Sequence, residues 1–220
     1  MRLRDALRQA AGILLDASIP SPELAAEVLL MHVLNCDRGF LHSHPETAIA
    51  QQAAERYFRL IGERLTGKPT QYITGHQEFW GLDFEVTPDV LIPRPETECL
   101  VEAALDLIRR PGGSRPGEAD AGAIEGAGAA RAIVDVGTGS GCIALALASQ
   151  MPEAMVNAVD ISPAALRVAE RNAARLACGG RVRFRESDLL SVFLAEAPRR
   201  AFDMVISNPP YVGRDEKDKV

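Results

Sequence analysis

The chain has 220 residues, of which 47% are apolar and 25% charged, and a formal net charge of −6. That is enough for one sizeable core and a smaller companion domain, with the composition of a globular protein in water. The acidic balance argues against a strongly basic nucleic-acid binder. No apolar run approaches the length of a membrane span, so a cytoplasmic protein is expected.

Residues 1–66 read as helices throughout. Leu3, Leu7, Ala10 and Leu14 recur at helical spacing, while Asp5, Arg8 and Gln9 interrupt the apolar run, which makes the first segment an amphipathic helix and not a signal peptide. Ser21-Pro22-Glu23 reads as a helix start, with Ser21 as N-cap, a proline at the first position and an acid near the positive end of the dipole. That helix runs to about Leu34 with Leu24, Val28 and Met31 on one face. A further helix spans roughly Glu46 to Leu65 and is amphipathic through Ala53, Tyr57, Leu60 and Ile61. Three or four short helices make a small bundle. His32, His42 and His44 sit in it without matching acids or cysteines and are assigned no chemical role.

Gly67 ends the helical part. Glu78-Phe79-Trp80 and Leu82–Val86 flank Gly81 and read as a short β-hairpin. Leu91-Ile92-Pro93-Arg94-Pro95-Glu96-Thr97-Glu98 follows, then an amphipathic helix to about Arg109. Glu96 and Glu98 suit the positive end of that helix, so a capped start accounts for them. Residues 111–130, rich in Gly, Ala and Pro, read as a flexible insertion without chemistry. From Ala132 strands and helices alternate: strand Ala132–Val136, helix Ser140–Gln150, strand Met155–Val159, helix Pro163–Leu176, strand Val182–Arg185 and strand Phe202–Ser207. Such βαβ units imply right-handed crossovers and a parallel sheet. Cys36, Cys99, Cys142 and Cys178 are scattered, with no CxxC pair and no cysteine–histidine cluster. They read as buried reduced thiols, and no metal site is expected.

The chemistry gathers at strand ends. Asp135-Val136-Gly137-Thr138-Gly139-Ser140-Gly141 lies between the first strand of the sheet and its helix, where glycines allow a tight turn and a close approach of backbone to ligand. The third glycine comes one residue earlier than in the dinucleotide fingerprint. An adenosyl cofactor with an amino-acid tail therefore fits better than a pyrophosphate, with Asp135 and the loop amides Gly137 to Gly141 near its charged groups. Asp160 closes the second strand, where a carboxylate can accept both ribose hydroxyls; Ser162 before Pro163 is the better helix cap. Asp188 after the third strand can accept from an adenine amine while Leu189 packs on the ring. Ser207-Asn208-Pro209-Pro210-Tyr211 ends the fourth strand. Its prolines stiffen the backbone and keep Asn208 extended, and a rigid carboxamide beside an aromatic ring suits the gripping of a flat, amide-like nitrogen.

Together the glycine loop, Asp160, Asp188 and Asn208–Tyr211 resemble a class I S-adenosylmethionine-dependent methyltransferase acting on a planar nitrogen. More narrowly, Gly67–Gly75, Glu78-Phe79 and Leu91–Glu98 resemble the HemK/PrmC family, the protein-(glutamine-N5) methyltransferases of peptide chain release factors. The resemblance runs from the helical N-terminus to Tyr211. It implies a Rossmann-like α/β domain at 95–220 joined by a β-hairpin connector at 67–94 to an all-α N-terminal domain at 1–66 that helps to hold the release factor. It also implies that Gly137 to Gly141, Asp160 and Asp188 hold the cofactor and that Asn208 to Tyr211 hold the substrate glutamine. Three further strands would follow Tyr211 in a complete domain of this kind, whereas the chain stops at Val220 in a charged run. It therefore reads as a truncated form, with its fourth strand presenting an open apolar edge.

On this reading the Asn208 side-chain carbonyl and the Pro209 backbone carbonyl accept the two amide hydrogens of the glutamine, Tyr211 packs on the amide plane, and Pro209-Pro210 hold the arrangement in place. No nucleophilic Cys or His is needed, and a monomer is expected. Two alternatives remain at this level. An adenine-N6 methyltransferase would present the same flat geometry to Asn208–Tyr211 but needs base extrusion and a basic strand-binding surface. An inactive cofactor-binding docking module would not need the intact Asn208–Tyr211.

Overall fold

The computed structural model describes residues 1–109, 131–196 and 202–209. Pro210, Tyr211 and the glycine-rich stretch 111–130 lie outside the described residues. The chain divides into two compact units, Met1–His76 and Gln77–Val220.

The first unit holds helices α1 (Leu3–Asp16), α2 (Pro22–Leu34), α3 (Arg38–Ser43), α4 (Gln51–Leu65) and α5 (Thr70–Thr74). Leu3, Ala6, Ala10 and Leu14 form the buried stripe of α1, a spacing of three or four that keeps one face inward. On α2 the buried face is Ala25, Ala26, Leu29 and Leu30, not the expected Leu24, Val28 and Met31; Leu24 is exposed. The small alanines admit the buried Tyr57 of α4, whose hydroxyl donates to the Ala26 carbonyl at 3.0 Å. Ser21 precedes α2 as expected but makes no side-chain cap bond, because its backbone takes a left-handed conformation with φ 51°. The last long helix starts at Gln51, not at Glu46. Residues 45–49 are instead held by the chain start: Leu3 N–H donates to the Thr47 carbonyl at 3.0 Å and Ile49 N–H to the Met1 carbonyl at 2.9 Å. The histidines have ordinary partners, His42 pairing with Glu27 at 3.0 Å and His44 Nδ1 lying 3.2 Å from the Phe40 carbonyl.

Strands β1 (His76–Phe79) and β2 (Leu82–Glu85) form a hairpin whose first residue, His76, still counts with the first unit and whose remainder opens the second. Trp80 and Gly81 both have positive φ, 57° and 70°, as a two-residue primed turn requires. Carboxylates hold this turn: Glu98 accepts from Trp80 N–H at 2.7 Å and Glu78 from Gly81 N–H at 2.6 Å. A short 3₁₀ turn at Pro95–Thr97 leads into α6 (Glu98–Arg109). Glu98 thus serves the hairpin as well as the helix start.

Strands β3 (Ala132–Val136), β4 (Met155–Asp160), β5 (Val182–Glu186) and β6 (Met204–Ser207) form a sheet in the order β5-β4-β3-β6, parallel at every described pairing. With α7 (Cys142–Gln150) and α8 (Pro163–Arg175) as crossovers, the fold is a Rossmann-like α/β sheet. The helix after the glycine loop starts at Cys142, two residues later than expected, because Gly141 has φ 81° and cannot join it. Side chains alternate across the sheet. Ile133, Val156, Val182 and Ile206 pack with residues of α6, α7 and α8 in the larger core. Val134, Val136 and Val159 pack on the opposite side with Phe193 of α9 (Ser191–Leu194), a helix too short to be signalled by periodicity. Cys142 and Cys178 are buried, but Cys36 is half-buried and Cys99 exposed, so burial holds for only two of the four free thiols. Cys99 lies one residue into α6, on the side its apolar stripe leaves to solvent. Among the described residues no helix is long and apolar enough to cross a membrane.

Candidate active site

The chain runs from β3 outward to β4 and β5, then returns to place β6 on the other side of β3. Strand order reverses at β3, and ligands of open α/β sheets bind at such a point, beyond the C-terminal strand ends. Every predicted site residue that is described lies at this edge. Gly137 to Gly141 follow β3, Asp160 ends β4, Asp188 and Leu189 follow β5, and Asn208 and Pro209 follow β6. Val136 and Ser207 are register partners, so the glycine loop and Asn208 leave adjacent strands side by side. Ser207 Oγ donates to the Val136 carbonyl at 2.8 Å and ties the two strand ends together.

The glycine loop is shaped by three left-handed residues, Gly137, Gly139 and Gly141 (φ 72°, 55° and 81°). Gly137 and Thr138 both donate to the Val159 carbonyl, at 2.8 and 3.0 Å, which folds the loop over the end of β4. A Cβ on Gly137 or Gly139 would meet nothing within 4 Å, whereas one on Gly141 would come within 3.1 Å of Ala169 Cβ and 3.2 Å of Leu145 Cδ1. Gly141 therefore serves close packing against α8. The first two glycines leave open space above the loop.

Asp135 is fully buried, and Thr138 Oγ1 donates to its Oδ2 at 2.6 Å. Oδ1 is buried and makes no well-formed hydrogen bond, although the Ala144 N–H lies near the carboxylate. Burial pushes this carboxyl up to about 6; the Thr138 hydroxyl and the Ala144 N–H pull it down, and the neighbouring Asp160 charge raises it again. A buried acceptor left over beneath a glycine loop fits a cationic group such as an amino-acid ammonium. Ser140, in the same loop, is also buried.

Asp160 is engaged by the protein more than expected: Oδ2 accepts from Gly139 N–H and Oδ1 from Ser162 N–H, both at 2.9 Å. These bonds hold the carboxylate in place, and each oxygen retains a second lone-pair direction for a hydroxyl. Ser162 is the helix cap, its Oγ accepting from Ala165 N–H at 3.2 Å. Leu189 takes a left-handed φ of 50° and is 68% exposed. Ile161, not anticipated from the sequence, is equally exposed at 68% beyond the end of neighbouring β4. The available signal was an apolar residue wedged between a strand-ending acid and a cap. Two aliphatic side chains beyond adjacent strands suit the faces of a flat ring.

At β6 the Asn208 Nδ2 donates to Thr97 Oγ1 at 2.9 Å, a contact across 111 positions. Thr97 is buried in the 3₁₀ turn. Leu91, Arg94, Glu96, Thr97 and Leu100 face Ser207, Asn208 and Pro209 across an open cleft of about 460 Å³. Among the described residues no three His, Cys, Asp or Glu side chains cluster to hold a metal ion.

Residues 5–75 match a PrmC N-terminal domain model, and residues 123–220 a methyltransferase small domain model. A release factor glutamine methyltransferase of Koribacter versatilis is 50% identical over 220 residues, covering 100% of this chain and 71% of that protein. Another, of Moorella thermoacetica, is 43% identical over 212 residues, covering 96% of this chain and 68% of that protein. Among solved structures, a human methyltransferase 10 domain containing protein aligns at 20% identity over 60% of this chain and 56% of its own, with a TM-score of 0.45.

Proposed function

The chain belongs to the release factor glutamine methyltransferase family, and from that premise we propose that it methylates the side-chain amide nitrogen, N5, of a glutamine in a peptide chain release factor, with S-adenosylmethionine as methyl donor. The observation that carries the reading is the placement of Asn208 at the end of β6, beside the glycine loop that leaves β3. A carboxamide held there meets a cofactor and a substrate in one crevice.

S-adenosylmethionine supplies, when bound, an electrophilic methyl group on a sulfonium. The buried Asp135 carboxylate would take its ammonium, and the open space at Gly137 and Gly139 would admit its tail. Asp160 accepts from the ribose hydroxyls. Asp188 accepts from the adenine amine while Leu189, joined by Ile161, covers the ring. An amide nitrogen is a poor nucleophile because its lone pair is delocalised into the carbonyl. Asn208 Oδ1 and the Pro209 carbonyl oxygen accept the two N–H groups, orient the nitrogen and stabilise positive charge as it grows there. The cleft on the other side of Asn208 takes the peptide around the glutamine. Pro210 as a stiffener and Tyr211 as a stacking ring complete the grip, an assignment that rests on the sequence alone. The helical unit Met1–His76 is assigned to holding the release factor.

Labelled methyl transfer tests this, with intact release factor, its glutamine-to-alanine variant and duplex DNA offered in parallel. Label should enter only the first. Labelling of DNA, or equal labelling of the alanine variant, would overturn it.

A further inference from the structure

Thr97 sits in a short 3₁₀ turn flanked by prolines. The turn opens with Pro95, two residues after Pro93, and runs into α6; Thr97 N–H donates to the Arg94 carbonyl at 3.0 Å, and the residue is only 7% exposed. A β-branched side chain in such a setting has few rotamers open to it. Its hydroxyl is 2.9 Å from Nδ2 of Asn208. The two ends of a carboxamide are nearly the same size and opposite in chemistry. With Nδ2 turned to Thr97, Oδ1 is the end turned away from it. A glutamine amide presents two N–H donors, so the oxygen end of Asn208 can receive it and the nitrogen end would repel it.

We infer that Thr97 is a positioning residue for methyl transfer: it holds Asn208 Nδ2 and so presents Oδ1 as the acceptor for the substrate amide. This rests on the glutamine-N5 reading above. Thr97 also lines the cleft with Asn208 and Pro209, so the same turn that orients the acceptor forms a wall of the space the substrate enters.

The test compares wild type, Thr97→Val, which keeps the shape and loses the hydroxyl, and Thr97→Ser, which keeps it. Thr97→Val should lower kcat roughly tenfold or more, the scale of a misplaced reacting group. Affinity for S-adenosylhomocysteine, by calorimetry, should stay within about twofold, and Thr97→Ser should return kcat to within about threefold of wild type. Without any substrate, solvent exchange of the Asn208 side-chain amide protons, followed by NMR, should quicken at least about threefold in Thr97→Val, as a lost hydrogen bond of ordinary strength predicts. Unchanged exchange in Thr97→Val would overturn the inference whatever the acceptor proves to be. So would a Thr97→Val kcat within twofold of wild type, or a Thr97→Ser variant as slow as Thr97→Val. Failure of the wild type to label the release factor glutamine would count against the proposed function, and the exchange measurement separates that outcome from this one.

Discussion

Asn172, fully buried on α8, donates from Nδ2 to the Ser140 carbonyl at 3.0 Å. The same nitrogen donates to the Glu85 carbonyl at 3.0 Å, and Oδ1 accepts from Glu85 N–H at 2.7 Å. One carboxamide thus joins the glycine loop, the hairpin and a helix that packs on the sheet. Ion pairs repeat the connection at the surface, Arg171 with Glu85 at 2.7 Å and Arg175 with Asp83 at 2.6 Å, but exposed pairs of this kind contribute little beside a buried three-bond anchor.

Asn172→Ala should therefore destabilise the protein by about 2–4 kcal/mol, because two carbonyls and an N–H lose their partner inside the core. Arg175→Ala should cost less than about 1 kcal/mol. Urea unfolding followed by circular dichroism measures both, and equal losses would refute the ranking.

Asp135 sets a pH dependence. Its carboxyl is raised in the folded protein from 3.8 to about 6 by burial, so the folded chain holds this proton more tightly than the unfolded chain. The stability it contributes is present below about pH 4 and is lost as pH rises towards about 6, roughly 3 kcal/mol in total. Asp135→Asn should remove that slope in unfolding experiments at stepped pH. S-adenosylmethionine affinity should run the opposite way in the wild type, rising as the carboxylate forms between about pH 5 and 7, because the cofactor ammonium favours the charged form. Calorimetric titrations at the two ends should show that rise, and the Asn variant should bind weakly at both.

Asn208→Ala should keep S-adenosylhomocysteine affinity within about twofold and lose turnover by about 10²–10³, the range seen when one preorganised polar contact to a developing charge is removed. Calorimetry and single-turnover labelling decide between this and a cofactor role, which would lower affinity by a comparable factor.

The glycines of the loop should separate in the same pair of assays. Gly141→Ala meets Ala169 and Leu145 as well as an unfavourable φ, and should cost roughly 2–4 kcal/mol of stability. Gly137→Ala meets only the φ strain, roughly 1–2 kcal/mol, but puts a methyl group into the space assigned to the cofactor. Its larger effect should be on S-adenosylhomocysteine affinity.

Local signals carried most of the second unit. Alternating apolar strands and periodic helices separated by glycine, Ser162-Pro163 and strand-ending acids specify β3 to β6 with their crossovers, because each is a short-range consequence of side-chain period and capping. Where local rules failed, a distant segment had taken the groups they relied on. The start of α4 gave way to hydrogen bonds with Met1 and Leu3, and the buried face of α2 was chosen by the fit of Tyr57 against alanines. Glu98, at a helix start, spends its carboxylate on Trp80, eighteen positions away.

The site divides in the same way. Which residues end strands, and which chemistry they bring, is legible along the chain, since glycines, acids and the Asn208-Pro209 stop act where they stand. That β6 lies beside β3, that Asp135 is buried under the loop, and that Thr97 meets Asn208 emerge with the folded sheet. Those are relations between segments up to 111 positions apart, fixed by sheet order and burial, and no periodicity or motif encodes a distance across the fold.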